Sequence, residues 1–157
     1  MTLKTISAHG TLGSGFAVEV TCGEHHVIMD QPKHAAGQDT GPTPLELILA
    51  AIAGCFGTIG RFLAHQRKIE LRGMRFEIQA DYDPAGLLGR DISVRPGFQA
   101  LRVLVEIDAD LSLEEKQAFL QEVERRCPLA DNLTHGTQLY NQLVERELPP
   151  TELPLIL

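Results

Sequence analysis

The sequence predicts an α+β domain in which antiparallel strands surround two helices, and three observations carry that expectation. Runs near residues 16–20, 74–82 and 101–108 alternate apolar and polar with period two, the mark of half-buried strands. An almost purely apolar run follows Pro42-Thr43-Pro44. A second helical stretch follows Ser112-Leu113-Glu114-Glu115. Strand groups interrupted by two helices give an α+β class, not a doubly wound one.

Taken in order, residues 6–21 carry alternation around Phe16-Ala17-Val18-Glu19-Val20, broken by Gly10, Gly13 and Gly15, and read as short antiparallel strands. Cys22-Gly23-Glu24 reads as a hairpin turn into a strand at residues 26–29. Proline, glycine, lysine and aspartate make residues 31–43 a loop. Thr43 then serves as N-cap, Pro44 as first helical residue and Glu46 as the capping-box acid of a helix reaching about Arg67. Apolar on all sides, that helix must be enclosed on all sides, by sheet and by a second subunit.

Residues 74–82 and 101–108 are the long strands, joined by residues 83–97, a connection long for a plain hairpin. Ser112 and Glu115 open a helix that ends at Cys127-Pro128. Residues 138–145 read as a final strand, and the tail with Pro149, Pro150 and Pro154 as extended chain.

With 157 residues, 43% hydrophobic and 22% charged, the chain reads as a single globular domain over residues 1–157. A net charge of −7, without a clustered basic face, argues against nucleic acid as a partner. The first residues lack the apolar run of a secretory leader, which points to the cytoplasm. The longest apolar stretch, residues 47–59, falls short of the roughly 18 residues of a spanning helix, so no membrane is expected. Ser14 sits in a glycine turn instead of a nucleophile elbow, and no glycine-rich phosphate loop is present.

Three cysteines, an odd number without a leader, do not describe a secreted disulfide framework. Cys55 lies in the apolar helix between Gly54 and Gly57, where a thiol is either an inert core residue or one that a ligand approaches closely. Cys127 follows Arg125-Arg126 and precedes proline; it is either a small cap or a thiolate favoured by N–H groups and a guanidinium. Cys22-Gly23-Glu24-His25-His26, with His34 beyond, has a spacing reminiscent of metal ligands, but also suits a polar hairpin turn.

Two stretches resemble the OsmC/Ohr superfamily: Gly41-Pro42-Thr43-Pro44-Leu45-Glu46 leading through small and apolar residues to Cys55, and Arg126-Cys127-Pro128-Leu129-Ala130-Asp131. The order of elements is also similar. The resemblance implies an OsmC-like fold, antiparallel sheets wrapped around two central helices, in an intertwined homodimer with sites at the interface and no metal or organic cofactor. It implies catalytic roles for Cys55 as peroxidatic and Cys127 as resolving thiol, a small organic hydroperoxide as substrate, and an external dithiol as reductant.

Two positions depart from the family's pattern. Its best-known peroxidases use an arginine from the N-terminal strands and a glutamate directly after the helix-start proline. Here residues 1–60 contain no arginine, and the acid is one place later, at Glu46. At about 100° per helical residue, Glu46 falls on the side opposite Cys55, so a supporting role competes with plain capping. Lys4, Arg61 and Arg67, or protonated histidines, are the substitutes the sequence offers. The alternative function is a non-enzymatic oxidant sensor or a binder of small apolar ligands on the same scaffold.

Overall fold

The computed structural model describes residues 3–144. The expected final strand lies partly beyond them, and the proline-rich tail wholly so.

Three short strands, β1 (His9–Leu12), β2 (Val18–Cys22) and β3 (His25–Met29), form an antiparallel sheet in that order. Cys22 pairs with His25 across a two-residue turn. Gly23 stands there at φ 63, which a side chain would resist. The loop that follows is organised by one residue with no obvious sequence signal. Asp30 is 1% exposed and accepts from the Gln31, Gln38 and Thr40 backbone N–H groups and from the Thr40 hydroxyl. Burial pushes its carboxyl up, and these four donors outweigh it, so the carboxyl stays below its usual value. The loop is thereby wrapped on a charged peg, with a 3-10 turn at Lys33–Ala35.

Helix α1 (Pro44–Arg67) begins as the sequence predicts. The Thr43 hydroxyl accepts from the Glu46 N–H at 3.3 Å, and the Glu46 carboxylate takes the Thr43 N–H at 2.7 Å. Within one chain the enclosure is partial. Ile52, Phe56, Gly60, Leu63 and Ala64 are buried, one stripe of a 24-residue helix, while Ile48 and Phe62 remain exposed. Among the described residues, the strands and helices of one chain cover one face of α1. By length and composition α1 would also suffice to cross a bilayer, because the helix continues well past the apolar stretch.

A hairpin of two long strands, β4 (Leu71–Asp81) and β5 (Ala100–Ala109), packs against α1. Close approach depends on two glycines. A Cβ on Gly57 would lie 3.6 Å from the Phe76 ring, and one on Gly60 only 2.6 Å from the Met74 sulfur. These glycines serve helix–sheet packing, whereas Gly54 has nothing near it. Arg72, at the β4 bulge, bonds Asp108 at 2.8 Å and Asp110 at 2.9 Å and pins the strand ends. The connection between the strands contains a short helix α2 (Pro84–Leu87), capped by Asp83.

Helix α3 (Leu113–Arg126) opens on the predicted Ser112/Glu115 capping box, and α4 (Pro128–His135) follows at once. Phe119, Val123 and Cys127, four residues apart in turn, put one buried stripe of α3 against α1. Among the described residues the buried apolar core comes from α1 onward, and the N-terminal sheet contributes none of it. The predicted strand at residues 138–145 is not formed over 138–144, where Leu139, Tyr140 and Leu143 are exposed. Leu139, Tyr140, Leu143 and Val144 would put apolar side chains on both faces of an extended segment, but a strand exists only with a hydrogen-bonding neighbour, and this segment finds none within the described residues.

Candidate active site

Pro128 determines where the second sulfur goes. Proline disfavours helical backbone in the residue before it, so Cys127 takes φ −79, ψ 112 and the chain breaks between α3 and α4. Cys127 therefore closes one helix and caps the next, its Sγ accepting from the Ala130 N–H at 3.5 Å. Because Cys127 also ends the buried stripe of α3, that sulfur faces α1. There it meets Cys55: the two Sγ atoms lie 2.7 Å apart, both thiols free. Cys55 is half-buried and Cys127 buried, so Cys55 is the more accessible of the two.

Burial pushes the Cys55 thiol above its usual pKa, and the hydrogen bond with Cys127 and that sulfur's charge push the same way. The Leu129 N–H, in the first turn of α4, works in the opposite direction. One sulfur thus faces the Leu129 N–H and the other the Ala130 N–H. The expected guanidinium does not take part. Arg125 forms a two-point pair with Glu122 at 2.7 and 2.9 Å, and Arg126 donates to Gln66 at 2.8 Å. The N–H groups of α4 are the donors that face the sulfurs.

The other sequence candidates are placed elsewhere. Glu46 is held in its cap by the Thr43 N–H first and the Thr43 hydroxyl second, both lowering its pKa. Arg61 donates to the Leu71 carbonyl where α1 hands over to β4. Cys22 is exposed at the hairpin, and His26 faces the Thr21 hydroxyl at 3.2 Å. Among the described residues no three His, Cys, Asp or Glu side chains converge as metal ligands.

Beside the sulfurs lies a cavity of about 570 Å³, walled by Ile48, Ile52 and Phe56 of α1, Leu101 and Val103 of β5 and Leu133 of α4. Neither sulfur lines it directly; Ile52 and Phe56, the helical neighbours of Cys55, and Ala130, whose N–H meets Cys127, do. Its charged lining residues are Arg95, from the β4–β5 connection, and Glu124. Sequence reasoning missed Arg95, since a loop position reveals nothing of what the loop folds over.

Set against known families, residues 37–140 match the OsmC-like proteins. The chain belongs to the OsmC-like family. Solved structures agree at the level of fold. An OsmC-like protein from Mycoplasma pneumoniae superposes with a TM-score of 0.71 at 20% identity, over 83% of this chain and 87% of that one. An organic hydroperoxide resistance protein OsmC from Legionella pneumophila gives 0.63 at 23% identity, over 87% and 93%. The organic hydroperoxide resistance protein OhrB of Bacillus subtilis gives 0.59 at 23% identity, over 85% and 93%. A comparison with curated proteins finds no match. The α+β architecture with antiparallel sheets is thus the OsmC-like fold, as the sequence predicts.

Proposed function

We propose that this OsmC-like protein is a cysteine-based peroxidase that reduces organic hydroperoxides, acting in oxidative-stress defence in the cytoplasm. The observation that carries the reading is the pair of free sulfurs 2.7 Å apart beside an apolar cavity. That separation needs little movement to reach the roughly 2.05 Å of a disulfide.

In this reading Cys55, the more accessible sulfur, attacks as thiolate on the terminal oxygen of the hydroperoxide. The O–O bond breaks, the alkoxide leaves and takes a proton to become the alcohol, and Cys55 holds the oxygen as sulfenic acid. Cys127 then attacks the Cys55 sulfur. The S–O bond breaks, hydroxide leaves as water, and a disulfide remains. An external dithiol returns both sulfurs to thiols by exchange, supplying the two electrons. The Leu129 N–H offsets part of the cost of a buried thiolate at Cys55.

The test mixes reduced protein with cumene hydroperoxide. Intact mass is expected to fall by two hydrogens, with two thiols lost together and restored by dithiothreitol through repeated rounds. One stoichiometric oxidation without turnover would make the protein an oxidant sensor. No rapid thiol loss would leave a ligand-binding protein with an apolar cavity.

We further propose that two copies interlock. Among the described residues, the outer face of α1, with Ile48 and Phe62, and the segment with Leu139, Tyr140 and Leu143 expose apolar surface that a second copy would cover. Sedimentation equilibrium is expected to give twice the 17.2 kDa of the chain. A monomer at micromolar concentration contradicts it.

A further inference from the structure

Among the described residues Arg67, Arg90 and Arg95 make neither an ion pair nor a side-chain hydrogen bond, and of these three only Arg95 lines the cavity. Arg72, Arg75, Arg102 and Arg125 each pair with a carboxylate, and Arg61 and Arg126 donate to a carbonyl and an amide. Arg95 makes no ion pair among the described residues, although acids outnumber bases by 21 to 14 in the chain. It nevertheless lines the cavity, and its backbone is fixed. Gln99 Nε2 donates to the Arg95 carbonyl at 3.0 Å and to the Gly97 carbonyl at 3.3 Å. On the other side, α2 presses close enough that a Cβ on Gly86 would stand 2.6 Å from the Val94 carbonyl oxygen. The guanidinium lies over Gly97, where a Cβ would be 3.3 Å from its Nη2, and Gly97 itself lines the cavity.

We propose that Arg95 is the specificity-determining residue of this cavity and selects apolar ligands that end in a carboxylate. A guanidinium fork matches a carboxylate with two parallel hydrogen bonds. The apolar walls take the chain, and the volume lies within the roughly 300–1,000 Å³ of small-molecule sites. Glu124, the other charged lining residue, repels an anion and leaves Arg95 as the place for it. A single guanidinium in a cavity shared with a carboxylate suits a monoanion better than a phosphate dianion.

As a statement about substrates this rests on the peroxidase reading, so the test has a binding arm and a turnover arm. Calorimetry of the full chain is expected to give decanoate an affinity about tenfold above that of decanol, and Arg95→Gln to erase the difference. Decanol binding stays unchanged in Arg95→Gln, which shows the cavity intact, and Arg95→Lys keeps part of the preference. In turnover, Arg95→Gln raises KM for linoleate hydroperoxide about tenfold, at constant kcat, and leaves its methyl ester unaffected. Equal affinity for decanoate and decanol in the unaltered protein overturns the proposal, as does an Arg95→Gln protein that keeps the preference. Decanoate selectivity without consumption of any hydroperoxide would support Arg95 while sinking the peroxidase reading. Turnover blind to the carboxylate would do the reverse.

Discussion

Cys55→Ser is expected to lower hydroperoxide consumption at least about a thousandfold, to the uncatalysed background, because a serine hydroxyl is not a nucleophile toward peroxide oxygen here. Cys127→Ser is expected to behave differently. Its Cys55 still takes the oxygen once, but no thiol stands 2.7 Å away to displace it, so the protein gains one oxygen atom and stops. Dimedone labelling and intact mass distinguish the two variants. The acid–base behaviour gives a second readout. Burial, first, and Cys127, second, hold the Cys55 thiol above its usual pKa. Its thiolate is therefore scarce at neutral pH, and alkylation by iodoacetamide climbs with pH until the raised pKa is passed. Removing Cys127 removes the second cause and leaves the first. Alkylation of Cys55 at neutral pH is then faster in Cys127→Ser than in the unaltered protein. Equal peroxide consumption by both variants and the parent would defeat the mechanism.

What the sequence made legible was local, and what it hid was tertiary. Thr43, Pro44 and Glu46 form their cap within a single turn, and so do Ser112 and Glu115, so both helix starts can be read without knowing the fold. Cys127-Pro128 announces a break for an equally local reason, the steric demand of proline on its neighbour. The encounter of Cys55 with Cys127 is of another kind. No spacing along the chain predicts it, and only the resemblance to a family implied it. The same limit explains the misses. Residues 138–144 carry apolar side chains that suit a strand, but nothing in them tells whether a strand edge is free to receive them. Arg125 and Arg126 sit beside Cys127 in sequence, yet helical geometry sends one to Glu122 and the other to Gln66. Arg95 and Asp30 act through loops whose paths no period encodes.

The sulfur pair is only as good as the packing of α3 on α1, and Phe119→Ala tests that dependence. Phe119 is 1% exposed, on the same stripe as Val123 and Cys127, and its ring reaches Gly60: a Cβ there would lie 3.8 Å from Phe119 Cε1. With the Met74 sulfur at the same glycine, the ring fills the space where helix, helix and hairpin meet. Truncation to alanine leaves a cavity and is expected to cost about 3–5 kcal/mol, a large share of the roughly 5–15 kcal/mol that keeps a domain folded. Phe119→Leu keeps most of the volume and is expected to cost less. Urea unfolding of the reduced protein, at one fixed protomer concentration, measures both. The consequence for the site is separate from stability. If the α3 stripe aims Cys127, Phe119→Ala also slows closure of the disulfide after a single hydroperoxide pulse, under conditions where the variant remains folded. If closure keeps its rate while stability falls, the turn at Pro128 alone aims the sulfur, and α3 merely carries it.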